Sequence, residues 1–87
     1  MYVVVTYDCG VERVNSVRKF LKQYLNWVQN SVVEGELTDA DLLEVKAGVE
    51  KLIDKDMDSV FFYKVKDRKF LEIDELGTRK ADISEII

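Results

Sequence analysis

An acid and a thiol, Asp8 and Cys9, follow the first apolar run of this chain, and an arginine, Arg13, stands five positions after the acid. Chemistry at such a place would have to come from the carboxylate, the lone thiol, hydroxyls or a metal held through carboxylate oxygens. The plainer role for Asp8 is to end a strand and accept backbone N–H groups in the turn that follows. The chain contains no histidine, so Ser-His and Cys-His catalysis, imidazole proton shuttling and His-containing zinc sites are excluded. Cys9 therefore has no histidine to activate it and reads as a small buried hydrophobe. Beyond Asp8, Arg13, Arg18, Lys19 and Lys22 are spaced to grip phosphates, Arg bidentately and Lys as a point charge, or to form a solvated helix face. Lys64, Lys66, Arg68 and Lys69 form a second basic group that reads as protection of a sheet edge. Among the aromatics, Tyr24 falls on an apolar helical stripe and reads as core, whereas Tyr7, beside Asp8, is a candidate for stacking on a base.

The frame that must position these groups is small. Eighty-seven residues, 47% hydrophobic and 34% charged, with four Gly and no Pro, predict one ordered domain without linkers. A single cysteine forms no intrachain disulfide, and no apolar run approaches the roughly 20 residues needed to cross a bilayer. The expectation is a cytoplasmic, membrane-free protein. The net charge of −4 conceals an asymmetry: residues 1–31 hold four basic against two acidic side chains, residues 32–87 nine against fifteen. Phosphate contact depends on where the cations lie, which directs attention to the first helix.

Residues 2–8 are β-branched and aromatic and predict a largely buried strand, broken at Cys9-Gly10. From Val11 the period becomes helical, with Val14, Val17, Leu21 and Tyr24 on one face. Residues 26–37 read as extended, as two short strands or one bent strand. Thr38 followed by Asp41 resembles a capping box opening a second helix with Leu42, Val45, Val49 and Leu52 inward; Gly48 inside it has no evident reason. Residues 59–65 predict a strand, 66–69 a turn, and 70–74 a shorter strand. The economical solution is α+β: a ferredoxin-like βαββαβ sandwich over residues 1–74, with two helices on one face of an antiparallel sheet. The extra C-terminal strand and the 75–87 tail are expected to contribute to a homodimer.

The runs MYVVVTYD, LKQY, WVQNSVVEGEL and DSVFFYKV, with Arg13 between the first two, resemble the small CRISPR-associated protein of family two, the non-integrase subunit of the spacer-acquisition complex. The resemblance covers residues 1–65 in order. It implies a ferredoxin-like homodimer with exchanged C-terminal strands, which bridges the adaptation integrase and supports duplex DNA during spacer acquisition. It also implies a magnesium-dependent endonuclease on single-stranded RNA or duplex DNA, with Asp8 as metal ligand, Arg13 as a catalytic cation, and Ser31 at the small-hydroxyl position of the SVxEG motif. Tyr7, Arg13, Arg18, Lys22 and Ser31 are the expected nucleic-acid contacts. A two-fold axis near the end of the first strand would supply a second Asp8 to a shared Mg2+. The chain departs from the family pattern at Val14 and Asn15, where a second basic residue is usual, and at Val33, where an aromatic is usual. A standalone toxin-like metal-dependent endoribonuclease is the alternative reading.

Overall fold

The computed structural model describes residues 1–77. β1 (Tyr2–Asp8) leads into α1 (Val11–Leu21), and β2 (Asn26–Gln29) and β3 (Val32–Glu36) form a hairpin. α2 (Asp39–Leu52) then returns the chain to β4 (Ser59–Val65). The sheet order is β2-β3-β1-β4 and every pairing is antiparallel, which is the ferredoxin-like arrangement expected. Of the two readings of residues 26–37, the hairpin is the one formed.

Period-two alternation divides β1 between two environments. Val3, Val5 and Tyr7 are buried with Val33 of β3, Val17 and Leu21 of α1, and Leu42, Val45 and Val49 of α2. Tyr2, Val4, Thr6 and Asp8 point to the opposite, helix-free face. There Val4 pairs with Glu34 and Tyr63, and Thr6 with Val32 and Phe61. Phe61 and Tyr63 remain 55% and 56% exposed on that face, so the sheet has one dry side and one apolar side left open.

Local signals explain the element boundaries. Thr38 Oγ1 accepts the Asp41 amide at 3.0 Å and the Asp41 carboxylate accepts the Thr38 amide at 3.3 Å, the reciprocal capping box predicted. Gly48, unexplained by sequence, faces Phe20 of α1: a Cβ built there would meet ring carbons Cε2 and Cε1 at 2.6 and 2.7 Å. The helices thus approach where one of them has no side chain.

The strand expected over residues 70–74, whose pairing was expected on a partner protomer, has no ladder within the single chain. Residues 70–74 do not form a strand on this sheet; Arg68–Phe70 is a turn of 3-10 helix and residues 71–76 form no ladder. The Asp67 carboxylate accepts the Lys69 amide, and Arg68 donates to the Leu71 carbonyl, so local side-chain bonds stop the chain from turning directly back as a hairpin. Most of the 75–87 tail lies outside the described residues.

Candidate active site

The end of β1 is assembled by two hydrogen-bonded corners. In the first, the β2–β3 turn is drawn against β1: the Tyr7 amide donates to the Ser31 carbonyl at 3.0 Å. The Asn30 carbonyl accepts both the Tyr7 hydroxyl at 3.2 Å and the Trp27 indole N–H at 3.1 Å. Asn30 adopts a left-handed φ of 23°, which Asn tolerates better than most residues. The result is that Ser31 lies beside Asp8. Together with Thr6, Asn30, Ser59 and Tyr63 they line an open depression of about 500 Å³ on the helix-free face.

The second corner sits behind Asp8. Asp58, the residue before β4, is buried, with its side chain 0% exposed. Its Oδ1 accepts the Gly10 amide and Arg13 Nη2, both at 2.9 Å, and its Oδ2 accepts Arg13 Nε at 2.5 Å and the Asp54 amide at 2.9 Å. The hydrogen bonds from Arg13, followed by that from the Asp54 amide, hold the Asp58 carboxyl below the usual carboxylate range despite burial. The same pairing keeps Arg13 a cation.

Asp8 itself is exposed at the strand end, and its carboxylate accepts no hydrogen bond among the described residues. The strand-ending Asx role therefore does not describe it. The cap of α1 is Gly10, without a side-chain cap, and the acid that accepts the turn amide is Asp58. Cys9 is half-buried; burial, then the nearby Asp58 carboxylate, pushes its thiol pKa up, the opposite of what a nucleophile needs.

The remaining sequence candidates separate. Ser31 shares the depression with Asp8. Tyr7 is a correction: its ring is 4% exposed and belongs to the core, because odd-numbered residues of β1 face the helices, so no face is free to stack on a base. Arg13 is also not free to meet a phosphate directly. Its Nε and Nη2 serve Asp58, its Nη1 lies 2.8 Å from Glu12, and its side chain is 23% exposed. Arg18 is half-exposed and donates to Asn15 at 2.6 Å, and Lys22 is exposed at the C-cap of α1. At 1.5 Å per residue, the 11 residues of α1 put Lys22 roughly 16 Å from the start of the helix, away from Asp8, whereas Arg18 lies part-way along it, within electrostatic reach of Tyr7.

Sequence reasoning missed Asp58. Its signal was present as an acid directly preceding an apolar strand whose first residue pairs with Asp8, and it becomes readable only once β1 and β4 are known to be neighbours.

The donor set around Asp8 is a carboxylate, hydroxyls of Ser31 and Ser59, and the amides of Asn30 and Gln29. Its hard oxygen donors fit magnesium and do not favour a soft metal. Among the described residues, no three acids or cysteines gather into a metal cage, so one chain offers a single carboxylate.

These features define a ferredoxin-like protein with an unshielded acid at the open end of its first strand. The family model described as CRISPR associated protein Cas2 matches residues 1–73. The chain is 59% identical over 87 residues to the CRISPR-associated endoribonuclease Cas2 of Methanosarcina acetivorans, covering 100% of both chains. It is 54% identical over 87 residues to the protein of that name in Pyrococcus furiosus, again covering 100% of both. Among solved structures, a Cas2 crystal structure aligns with TM-score 0.86 and 45% identity over 100% of this chain and 98% of the other. Streptococcus pyogenes Cas2 aligns with TM-score 0.74 and 34% identity over 88% of this chain and 100% of that one. The chain belongs to the Cas2 family. No helix among the described residues is long and apolar enough to cross a membrane.

Proposed function

We propose that the protein is a homodimeric, magnesium-assisted endoribonuclease of a CRISPR system, with Asp8 as the cation ligand in each protomer. The observation that carries this reading is the exposed Asp8 carboxylate, without a hydrogen-bond donor among the described residues, at the rim of a depression lined by hydroxyls and amides. The names of its relatives in Methanosarcina and Pyrococcus support the substrate class. The open sheet face supports the dimer: Phe61 and Tyr63, with Val4, Val32 and Val65 on the same side, form an apolar surface that a second copy covers by two-fold symmetry. Packing there brings the two Asp8 residues towards one axis, where both carboxylates would be available to hold one shared cation.

A divalent cation at that position supplies polarisation of a phosphoryl oxygen and a water of lowered pKa, work that a chain without histidine has no imidazole to do. Asp8 would hold the cation by its carboxylate. The Ser31 and Ser59 hydroxyls and the Asn30 amide orient the sugar-phosphate by hydrogen bonds. Arg13, committed to Asp58, acts on the site through the backbone rather than on the phosphate.

A second task, supporting duplex DNA beside the adaptation integrase, is favoured by α1. Arg18, Lys19 and Lys22 form a cationic face of α1, suited to backbone phosphates and unable to read bases. The two tasks are compatible in one dimer.

The test is cleavage of labelled single-stranded RNA and duplex DNA by purified dimer with magnesium or chelator. Asp8→Asn should reduce metal-dependent cleavage of RNA by roughly 100-fold or more while leaving the dimer intact. Equal cleavage by the folded variant would remove Asp8 from the mechanism, and loss of DNA binding in the same variant would place both tasks on one surface.

A further inference from the structure

The acid that controls the Asp8 segment is Asp58. Asp8 pairs with Ser59 at the last rung of the β1–β4 ladder, and Ser59 is joined covalently to Asp58. Two residues beyond Asp8, the Gly10 amide donates to the same Asp58 carboxylate at 2.9 Å. The backbone is thus gripped on both sides of Asp8 by groups that Asp58 fixes. A carboxylate offers about four acceptor sites, and here four N–H groups fill them, from Gly10, Asp54 and twice from Arg13. Asp58 therefore has nothing left for a cation, whereas Asp8 has no donor at all among the described residues. The two acids, within one corner, have opposite hydrogen-bonding states.

Gly10 carries a second observation. A Cβ at that position would meet Arg13 Nη2 at 2.7 Å and Glu12 Oε1 at 2.5 Å. The guanidinium crosses directly over the turn, and the absence of a side chain lets it reach Asp58. The turn, the first turn of α1 and the entry to β4 are then joined at one buried carboxylate, and Asp8 is the residue they leave projecting.

We propose that Asp58, gripped bidentately by Arg13, is a positioning residue that sets the backbone of Asp8 for cation binding. The inference rests on the reading of Asp8 as the ligand and adds the pair that orients it. Neither Asp58 nor Arg13 touches the cation.

The experiment is a Mn2+ titration of the full-length dimer followed by paramagnetic broadening of backbone amide signals, paired with the magnesium dependence of RNA cleavage. In the wild type, broadening should centre on residues 8–10, and Asp8→Asn should abolish it. Asp58→Asn keeps the shape and loses one acceptor. It should raise the half-saturating concentration of both ions about tenfold, as loss of a group supporting a metal ligand does, with broadening and cleavage recovered at saturating metal. A merely structural loss would not be recovered by metal. Should Asp58→Asn fail to fold, Arg13→Lys keeps the charge and surrenders the two-point grip, and a several-fold rise is expected from it. A folded Asp58→Asn or Arg13→Lys dimer with the wild-type titration overturns the positioning role while leaving Asp8 as ligand. Wild type without broadening at residues 8–10, together with full activity of Asp8→Asn, overturns both readings.

Discussion

Replacing Gly48 by alanine should destabilise the protein, although helix propensity alone predicts the reverse. In a helix interior Ala is favoured over Gly by about 1 kcal/mol. The Gly48 Cβ, however, would enter the Phe20 ring, meeting Cε2 and Cε1 at 2.6 and 2.7 Å, and that ring also packs on Tyr24 with centroids 5.4 Å apart. Either the helices separate or the ring swings out and gives up its contacts, an overpacking cost of about 1–3 kcal/mol. The net expectation is a loss of about 1 kcal/mol, which for a chain of this size lowers a urea midpoint by roughly 1 M. Equilibrium unfolding at fixed protein concentration measures it.

The decisive arm is the double variant. Phe20→Leu removes the ring carbons that the new Cβ would strike, so in that background Gly48→Ala should be stabilising, by up to about 1 kcal/mol, and the coupling between the sites should be about 2 kcal/mol. A Gly48→Ala variant more stable than wild type, or a pair of substitutions whose effects add, would refute the claim that Phe20 against Gly48 sets the distance between α1 and α2. The point bears on function because α1 carries Arg13 at one end and the Arg18 to Lys22 cations at the other.

Three further outcomes are expected. Because Arg13 holds the Asp58 carboxyl below its ordinary value, the stability it contributes is complete above the unfolded carboxylate pKa of about 3.9 and is lost as pH falls below it; the urea-midpoint gap between wild type and Asp58→Asn should be constant from about pH 8 to 5 and narrow below about pH 4, and a gap still undiminished near pH 2.5 would deny the depressed carboxyl. Phe61→Ser with Tyr63→Ser should weaken dimerisation by roughly 100-fold or more in sedimentation equilibrium, each lost aromatic counting for at least about 1.4 kcal/mol, and an unchanged dimer would move the interface off the sheet face. Arg18→Glu with Lys22→Glu should lower the salt dependence of duplex binding by roughly two units of slope, following two lost phosphate contacts; an unaltered slope would transfer DNA contact to Lys64 and its neighbours.

How far the sequence could be read depended on the range of the interactions. β1, β4, both helices and the Thr38 cap follow from alternation, helical period and local side-chain chemistry, all of which act within a few residues, whereas the same signals left residues 26–37 open between a hairpin and one bent strand. Residues 70–74 alternate as a strand should, but alternation states only a preference for a pleated surface. The chain's own sheet gives those residues no ladder, and Asp67 and Arg68 form a local turn instead. Gly48 was opaque for a related reason, since its partner Phe20 is on the other helix.

The candidate site shows the same limit more sharply. Asp8 was reached through the family resemblance, since by pattern alone an acid ending an apolar strand reads first as a turn residue, but Tyr7 beside it was misjudged although the rule that buries it was at hand: in β1, Val3 and Val5 face the helices, so Tyr7 must too. The role of Arg13 was beyond any local rule. An arginine one turn into a helix after an acid suggests a phosphate clamp until its true partner, 45 positions along the chain, is brought beside it by the antiparallel pairing of β1 with β4. That pairing sets Asp8 opposite Ser59, and hence Asp58 behind the turn. One acid is left bare only because the other absorbs the donors of the turn. The reactivity assigned to Asp8 is therefore a property of the β1–β4 register, and a one-residue slip of β4 along β1 would exchange the two faces of β4 and dissolve the site without altering a single functional side chain.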